Sequence, residues 1–348
     1  MMKGISLVEL ATKIEANKAH KKDFLAPTTG LRMLTEGVEQ PELVIPDQGH
    51  FPIQPVAHTQ LAEYLGIPGR YYDKMREQTP ALLAENVNTW LSTRKDTRMV
   101  RTLRGNARAF LSNSYNRIEH EEISEVALPV LLKVPGISVV SAEITERRLY
   151  IQATTDRIQG EVKKGDVVQA GVVISNSEIG YGAVSVAAMD WRLWCLNGAI
   201  AANKFRAYHV GRRIEDNAAL WSQETLRADD RAVLLKVRDM VAAAVDAVQF
   251  NLRLDRMKEL AGEAKVTGDP ATVVKVLATK VGASEGEQGS ILRSLIEGGD
   301  LSAWGLINAV TAQAHTARSY DRAVEFEVAG GSLIDLPNTA WKEILAAA

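Results

Sequence analysis

The sequence predicts an α+β fold, an antiparallel sheet with packed helices followed by a helical C-terminal region. Between residues 98 and 189, runs rich in β-branched residues are interrupted by one helical stripe, with no regular alternation of strand and helix. From Asp216 onward the apolar spacing becomes helical. The chain has 348 residues, 46% of them hydrophobic and 24% charged, a composition of ordinary globular proteins and a length that invites more than one core. The organisation expected is an N-terminal extension at 1–57, an α+β sheet domain at 58–215 and a helical region at 216–348.

The elements follow in order. Pro41, Pro46, Pro52 and Pro55 break up residues 40–58 into a loop or short edge strands. A helix from His58 ends at Gly66, and the turn Ile67-Pro68-Gly69 leads into a second helix. That order suits a DNA-reading helix-turn-helix, and it equally suits two packed helices of any fold. Gly105-Asn106 predicts a two-residue hairpin within residues 98–112. Pairing Arg104 with Ala107 sets Leu103 opposite Arg108 and Arg101 opposite Phe110, with Val100, Thr102, Ala109 and Leu111 on the other face. Ile123, Val126, Ala127, Val130 and Leu131 form a helical stripe that Pro129 should bend. Strands are expected at 137–144, 147–155, 166–176 and 183–189. Beyond them, 216–262 reads as one long helix or a helical hairpin. Asp269-Pro270 and the Ser284/Glu287 capping box open two more helices, and another runs from Ser302 to His315.

The formal charge of −2 hides a segregation of signs. Arg94, Lys95, Arg98, Arg101, Arg104, Arg108 and Arg117 stand in a stretch whose only acid is Asp96, and Arg192, Lys204, Arg206, Arg212 and Arg213 in one with none. Such stretches mark an anionic partner, or else a face balanced by acids such as Glu119, Glu121, Glu122 and Glu125. On the predicted register Arg101, Arg108 and Phe110 share a face, which suits a single strand: arginines neutralise phosphates and a ring stacks on bases. Arg98, Arg104 and Tyr115 belong to the same candidate surface, and Lys204, Arg206, Arg212 and Arg213 extend it if the two stretches line one groove. The competing expectation is an arginine resting on a ring without any ligand.

Other chemistry finds little footing. One cysteine, Cys195, excludes an internal disulfide and reads as a buried apolar residue. The first residues predict no secretory leader, and no apolar run predicts a membrane span, so a cytoplasmic protein is expected. There is no phosphate-binding loop, and Gly180-Tyr-Gly182 lacks the context of a dinucleotide site. The six histidines are too scattered to suggest a metal centre. Asp156, Glu161 and Lys163 faintly match an acid-acid-lysine magnesium site, but so short a spacing fits a surface turn better. No metal and no cofactor are expected. Asn176, Asn197 and His209 form a possible ligand site, against which stands the ordinary use of asparagine as a turn or strand cap.

Three groups of segments carry a family resemblance. They are Leu-Gly-Ile-Pro-Gly-Arg-Tyr-Tyr-Asp-Lys-Met (65–75) with Arg-Ala-Phe-Leu-Ser-Asn-Ser-Tyr-Asn-Arg-Ile-Glu (108–119); Val-Ile-Ser-Asn-Ser-Glu-Ile-Gly (173–180) with Arg-Leu-Trp-Cys-Leu-Asn-Gly (192–198) and His-Val-Gly (209–211); and Trp-Gly-Leu-Ile-Asn-Ala-Val-Thr (304–311). In order and spacing the chain resembles an uncharacterised phage- and plasmid-borne family, catalogued as domain of unknown function nine hundred and thirty-two. The resemblance implies a home on mobile genetic elements and carries no chemistry onto residues. The expected function is a nucleic-acid-binding accessory protein, single-strand binding or annealing, that forms homo-oligomers, with DNA recombination as its setting. The alternatives are an enzyme acting on a nucleotide or nucleic acid through residues 173–211, and an oligomeric assembly protein.

Overall fold

A computed structural model describes residues 2, 4–193, 195–207, 223–262 and 264–347, and for 202–207 and 223–227 the backbone alone. The chain is an α+β protein built on antiparallel pairing. Its first helix, α1 (Leu7–Lys18), is opened by a reciprocal cap in which Ser6 and Glu9 each bond the other's backbone N–H. The rest of the expected N-terminal extension is woven into the sheets. Strand β1 (Lys21–Pro27) pairs with a strand far along the chain, and β2 (Arg32–Leu34), β3 (Glu42–Ile45) and β4 (Gly49–Pro52) form a small sheet of their own.

Helices α2 (Pro55–Leu65), α3 (Gly69–Gln78) and α4 (Pro80–Thr93) follow, α2 ending at Gly66 as its sequence predicts. They pack Leu61, Tyr72, Leu83 and Leu91 against the hairpin of β5 (Thr97–Leu103) and β6 (Asn106–Ser112), which contributes Val100 and Phe110. Inside this core the His58 ring meets the Tyr72 hydroxyl at 2.8 Å, and burial, helped by the charge of Arg76, pushes the His58 pKa down to about 3.

The hairpin is present, but its register differs from the expected one in two ways. The turn is Arg104-Gly105, both at positive φ (51° and 78°) as a type I′ turn requires, so Leu103 faces Asn106. Next, Thr102 pairs with Ala107 while Arg101 pairs with Ala109, leaving Arg108 as the extra residue of a β-bulge. Val100 therefore faces Phe110, and Arg101 and Phe110 lie on opposite faces of the hairpin. Phe110 is 3% exposed and belongs to the core.

After α5 (His120–Leu131), which carries Pro129, comes a five-stranded meander of β7 (Ile137–Ile144), β8 (Leu149–Glu161), β9 (Val167–Asn176), β10 (Val184–Arg192) and β11 (Asn197–Ala207). Four of these strands match the expected ones, and β11 is additional to them. The 216–262 segment, where described, is α6 (Gln223–Ala243) and α7 (Ala247–Gly262), broken where Asp246 accepts the Gln249 N–H at 2.7 Å. Helices α8 (Pro270–Lys280), α9 (Glu285–Gly298), α10 (Ala303–Ala312), α11 (Tyr320–Ile334) and α12 (Asn338–Leu345) complete the chain, α8 and α9 starting at the predicted caps. One face of the large sheet packs Ile151, Val172 and Ile174 against α1, α5 and α6. The other places Tyr150, Val173 and Ile200 against Tyr320 and Val324 of α11.

Candidate nucleic-acid interface

The hairpin and the large sheet meet through charges. Pairing of β1 with β5 sets Asp23 opposite Arg101 and Lys21 opposite Leu103, on strands about eighty residues apart in sequence. Across the junction stand Glu119 and Glu121, at the start of α5, and Glu178, in the loop after β9. Arg101, 1% exposed, bonds Asp23 at 2.9 Å, Glu119, and the Glu178 carbonyl at 2.6 Å. Arg108 donates to Glu178 at 2.7 Å and Arg117 to Asp23 at 3.0 Å. The Lys21 ammonium touches Glu119, Glu121 and Glu178 at 3.0, 2.7 and 2.5 Å. Lys21, Arg101, Arg108 and Arg117 thus balance Asp23, Glu119, Glu121 and Glu178.

Burial works to raise the Glu178 pKa, but the surrounding His120, Arg108 and Lys21 outweigh it and hold the carboxyl well below its ordinary range. Burial likewise disfavours the Lys21 ammonium, and Glu178, Glu119 and Glu121 reverse that. Glu119 is pushed upward, mainly by burial. The His120 imidazole, fully enclosed, is pushed down to about 4 by burial. Glu119, Glu121 and Glu178 are also the residues whose spacing suits a shared cation, their oxygens lying within 4.8 Å of one another, and the Lys21 ammonium occupies that point.

Each expected site residue has a definite place. Arg101, Arg108 and Phe110 do not project together: Phe110 is core, Arg101 is enclosed by carboxylates, and the bulge turns Arg108 toward Glu178. The arginine over a ring occurs at the other end of the hairpin, where Arg98 lies 3.8 Å from the Tyr64 ring centre and 5.8 Å from that of Phe110. Arg104 is exposed on the turn, donating to Asn17 at 3.2 Å. The Tyr115 hydroxyl bridges the Ser177 carbonyl and the Gly180 N–H, both at 3.2 Å, and so shapes the loop that carries Glu178. Asn176 donates to the Ile118 carbonyl at 2.9 Å and meets His120 at 3.0 Å. Asn197 donates to Thr311 at 2.8 Å. These asparagines stand at opposite ends of the sheet, because Ser175 aligns with Ser185 while Asn197 aligns with Arg192. They form no common site. Lys204 and Arg206 stand opposite Ala187 and Ser185 in β11; His209, Arg212 and Arg213 lie outside the described residues. Cys195 is half-buried, its sulfur 3.0 Å from Arg192 Nη1, and so is not the apolar core residue expected.

Two adjoining clefts open beside this network. The first, about 350 Å³, lies between the hairpin turn and the β7–β8 turn, with Lys13, Arg104, Arg108 and Arg147 against Glu146 and Glu178. Arg108 uses only Nη1 on Glu178; its Nε and Nη2 are shut from solvent and have no hydrogen-bond partner among the described residues. Arg147, exposed, sits 4.7 Å over the Tyr181 ring and also edges the second cleft, about 340 Å³, between the large sheet and α11. Sequence reasoning passes over Lys21, Asp23, Arg147 and Glu178, although Glu178 lies within the Ser-Asn-Ser-Glu segment that carries part of the family resemblance. No protein-family model, curated protein or solved structure matches this chain.

Proposed function

We propose that this chain is a nucleic-acid-binding accessory protein of a phage or plasmid, acting in the cytoplasm as an assembly of copies, and that it holds a single strand in the first cleft. One observation carries the reading: Arg104 and Arg147, both exposed on the two turns that border the cleft, put positive charge on its rim. Such charge neutralises the phosphates of a strand lying across the cleft. The Arg101 side of the hairpin serves instead to lock the hairpin to the large sheet.

The test is a salt-dependent titration with single-stranded and double-stranded DNA. Arg104→Ala and Arg147→Ala remove the rim charge. Each phosphate that is no longer neutralised lowers the salt slope by about 0.7 for a single strand. If the Arg104→Ala, Arg147→Ala double variant binds with unchanged affinity and slope while folded, the reading is wrong. The enzyme alternative has in its favour the convergence of Glu119, Glu121 and Glu178. Metal-dependent cleavage of DNA by the wild-type protein, lost in Glu121→Gln, would replace the binding reading by that one.

A further inference from the structure

We infer that the second cleft is a seat for one nucleotide, its phosphate held at the mouth by Arg147 and Arg148 and its base enclosed between the large sheet and α11. This deepens the proposed function, because the two clefts share Arg147 and a strand leaving the first reaches the second.

The charges of the cleft favour an anion. Asp321 already accepts the Tyr150 hydroxyl at 2.9 Å and the Thr145 hydroxyl at 3.1 Å, and Glu325 takes Arg322 at 2.7 Å. Among the described residues neither Arg147 nor Arg148 has a carboxylate within ion-pair distance; Arg147 rests on Tyr181, and Arg148 spends Nε and Nη2 on the Tyr181 carbonyl. The mouth is therefore cationic, while of the two acids inside Glu325 is paired with Arg322 and Asp321 is tied to the wall by the two hydroxyls. A guanidinium pair of this kind takes a phosphate, with the Arg148 fork already oriented by the loop.

The interior favours a flat ring with polar edges. Val173, Ala187, Ile200, Val324 and Val328 make most of the enclosure apolar. Ser175 and Ser185 lie side by side in it, both buried, their hydroxyls 2.9 Å apart. Each pairs with the other, so the couple retains one hydroxyl hydrogen and spare lone pairs for a base edge. A cleft of about 340 Å³ lies at the small end of the range of small-ligand pockets, roughly 300–1,000 Å³, and an apolar cavity with a few convergent polar groups is their usual character. A free nucleoside monophosphate and the terminal nucleotide of a strand present the same chemistry here.

Deoxyadenosine monophosphate, inorganic phosphate, a linear oligonucleotide and a circular single strand, titrated against the full chain, separate the cases. Val328→Phe fills the cleft; Ser185→Ala, which removes only a hydroxyl, serves if the larger side chain disturbs folding. The expected result is that the mononucleotide binds more tightly than phosphate, and that either folded variant weakens it by about tenfold or more. Loss of the linear strand but not the circle in these variants identifies strand ends as the source; loss of the mononucleotide alone identifies free nucleotide. Mononucleotide binding without binding of either strand leaves the nucleotide seat standing and defeats the strand reading of the first cleft. Failure of the mononucleotide to bind at millimolar concentration, with linear and circular strands bound equally by wild type and variants, overturns the inference and leaves the first cleft intact.

Discussion

Glu178, at the junction of the hairpin and the large sheet, and Glu327, on α11 against that sheet, are almost sealed from solvent, 2% and 0% exposed. Burial alone drives both carboxyls toward the neutral form. Glu178 is answered by Lys21, Arg108 and the His120 N–H, and stays ionised. Glu327 receives only the Gln152 amide at 2.8 Å and the Gly198 N–H at 3.4 Å, with no side-chain cation within ion-pair distance among the described residues, and burial pushes its pKa up to about 7. The same side chain is thus a fixed charge in one region and is pushed toward its neutral form in the other. Depth of burial did not decide between them; the partners did.

The largest effect that would break this contrast is at Glu178. Glu178→Gln leaves Lys21 and Arg108 facing a neutral group in a confined space, and breaking a buried pair by removing one partner costs about 3–5 kcal/mol. Urea denaturation should show a loss of that size, and a loss below roughly 1 kcal/mol would mean that the network is effectively solvated. Replacing Arg108 by Met in the same chain should recover part of it, since fewer unpaired charges remain.

Acid offers a slightly smaller handle. His120 has a folded pKa of about 4 against an ordinary 6.5, so the folded state resists protonation that the unfolded chain accepts. Its contribution is present above pH 6.5 and is lost as pH falls through 4, on the order of 3 kcal/mol. Glu178, depressed below 4.5, adds a further loss in more acid solution; Glu119, raised, acts in the opposite sense. Stability should therefore fall on acidification from pH 6.5, and His120→Gln should flatten the limb between 6.5 and 4. An unchanged limb in that variant would assign the acid response elsewhere, His58 being the next buried imidazole.

What the sequence disclosed of this arrangement follows the range of the interactions. Helix caps at Ser284 and Asp269 and four strands of the large sheet are local, and local patterns announced them. Strand β11 is rich in small residues, Gly198, Ala199 and Ala201 among them, and so lacked a β-branched signature. The helix that faces it is small at the contact as well: a Cβ on Gly331 of α11 would stand 1.8 Å from the Ile200 carbonyl, so helix and strand meet at backbone contact. The charge network was half visible. Counting found the arginines and named Glu119 and Glu121 among the acids that balance such stretches, whereas Lys21 and Asp23 arrive through the long-range pairing of β1 with β5. A single bulged residue, Arg108, was enough to move Phe110 from the expected binding face into the core.

The finest test of the contrast is Glu327→Gln, because it replaces a carboxyl by its neutral near-isostere where neutrality is already favoured. The raised pKa means that Glu327 contributes its full stability below about 4.5, and that this is lost as pH rises through 7. At pH 5 wild type and variant should differ by less than about 0.5 kcal/mol, as both present an uncharged group to Gln152 and Gly198. Between pH 5 and 8 the wild type must either ionise a sealed carboxyl or hold its proton against solution, and the variant avoids both, so it should gain roughly 2 kcal/mol relative to wild type. The neighbouring amide favours the variant further. Gln152 Oε1 is buried without a partner among the described residues, and the new amide hydrogens offer a donor beside it. A variant that instead loses stability at pH 8 would show that Glu327 is ionised and paired as Glu178 is, and the distinction between the two regions would disappear.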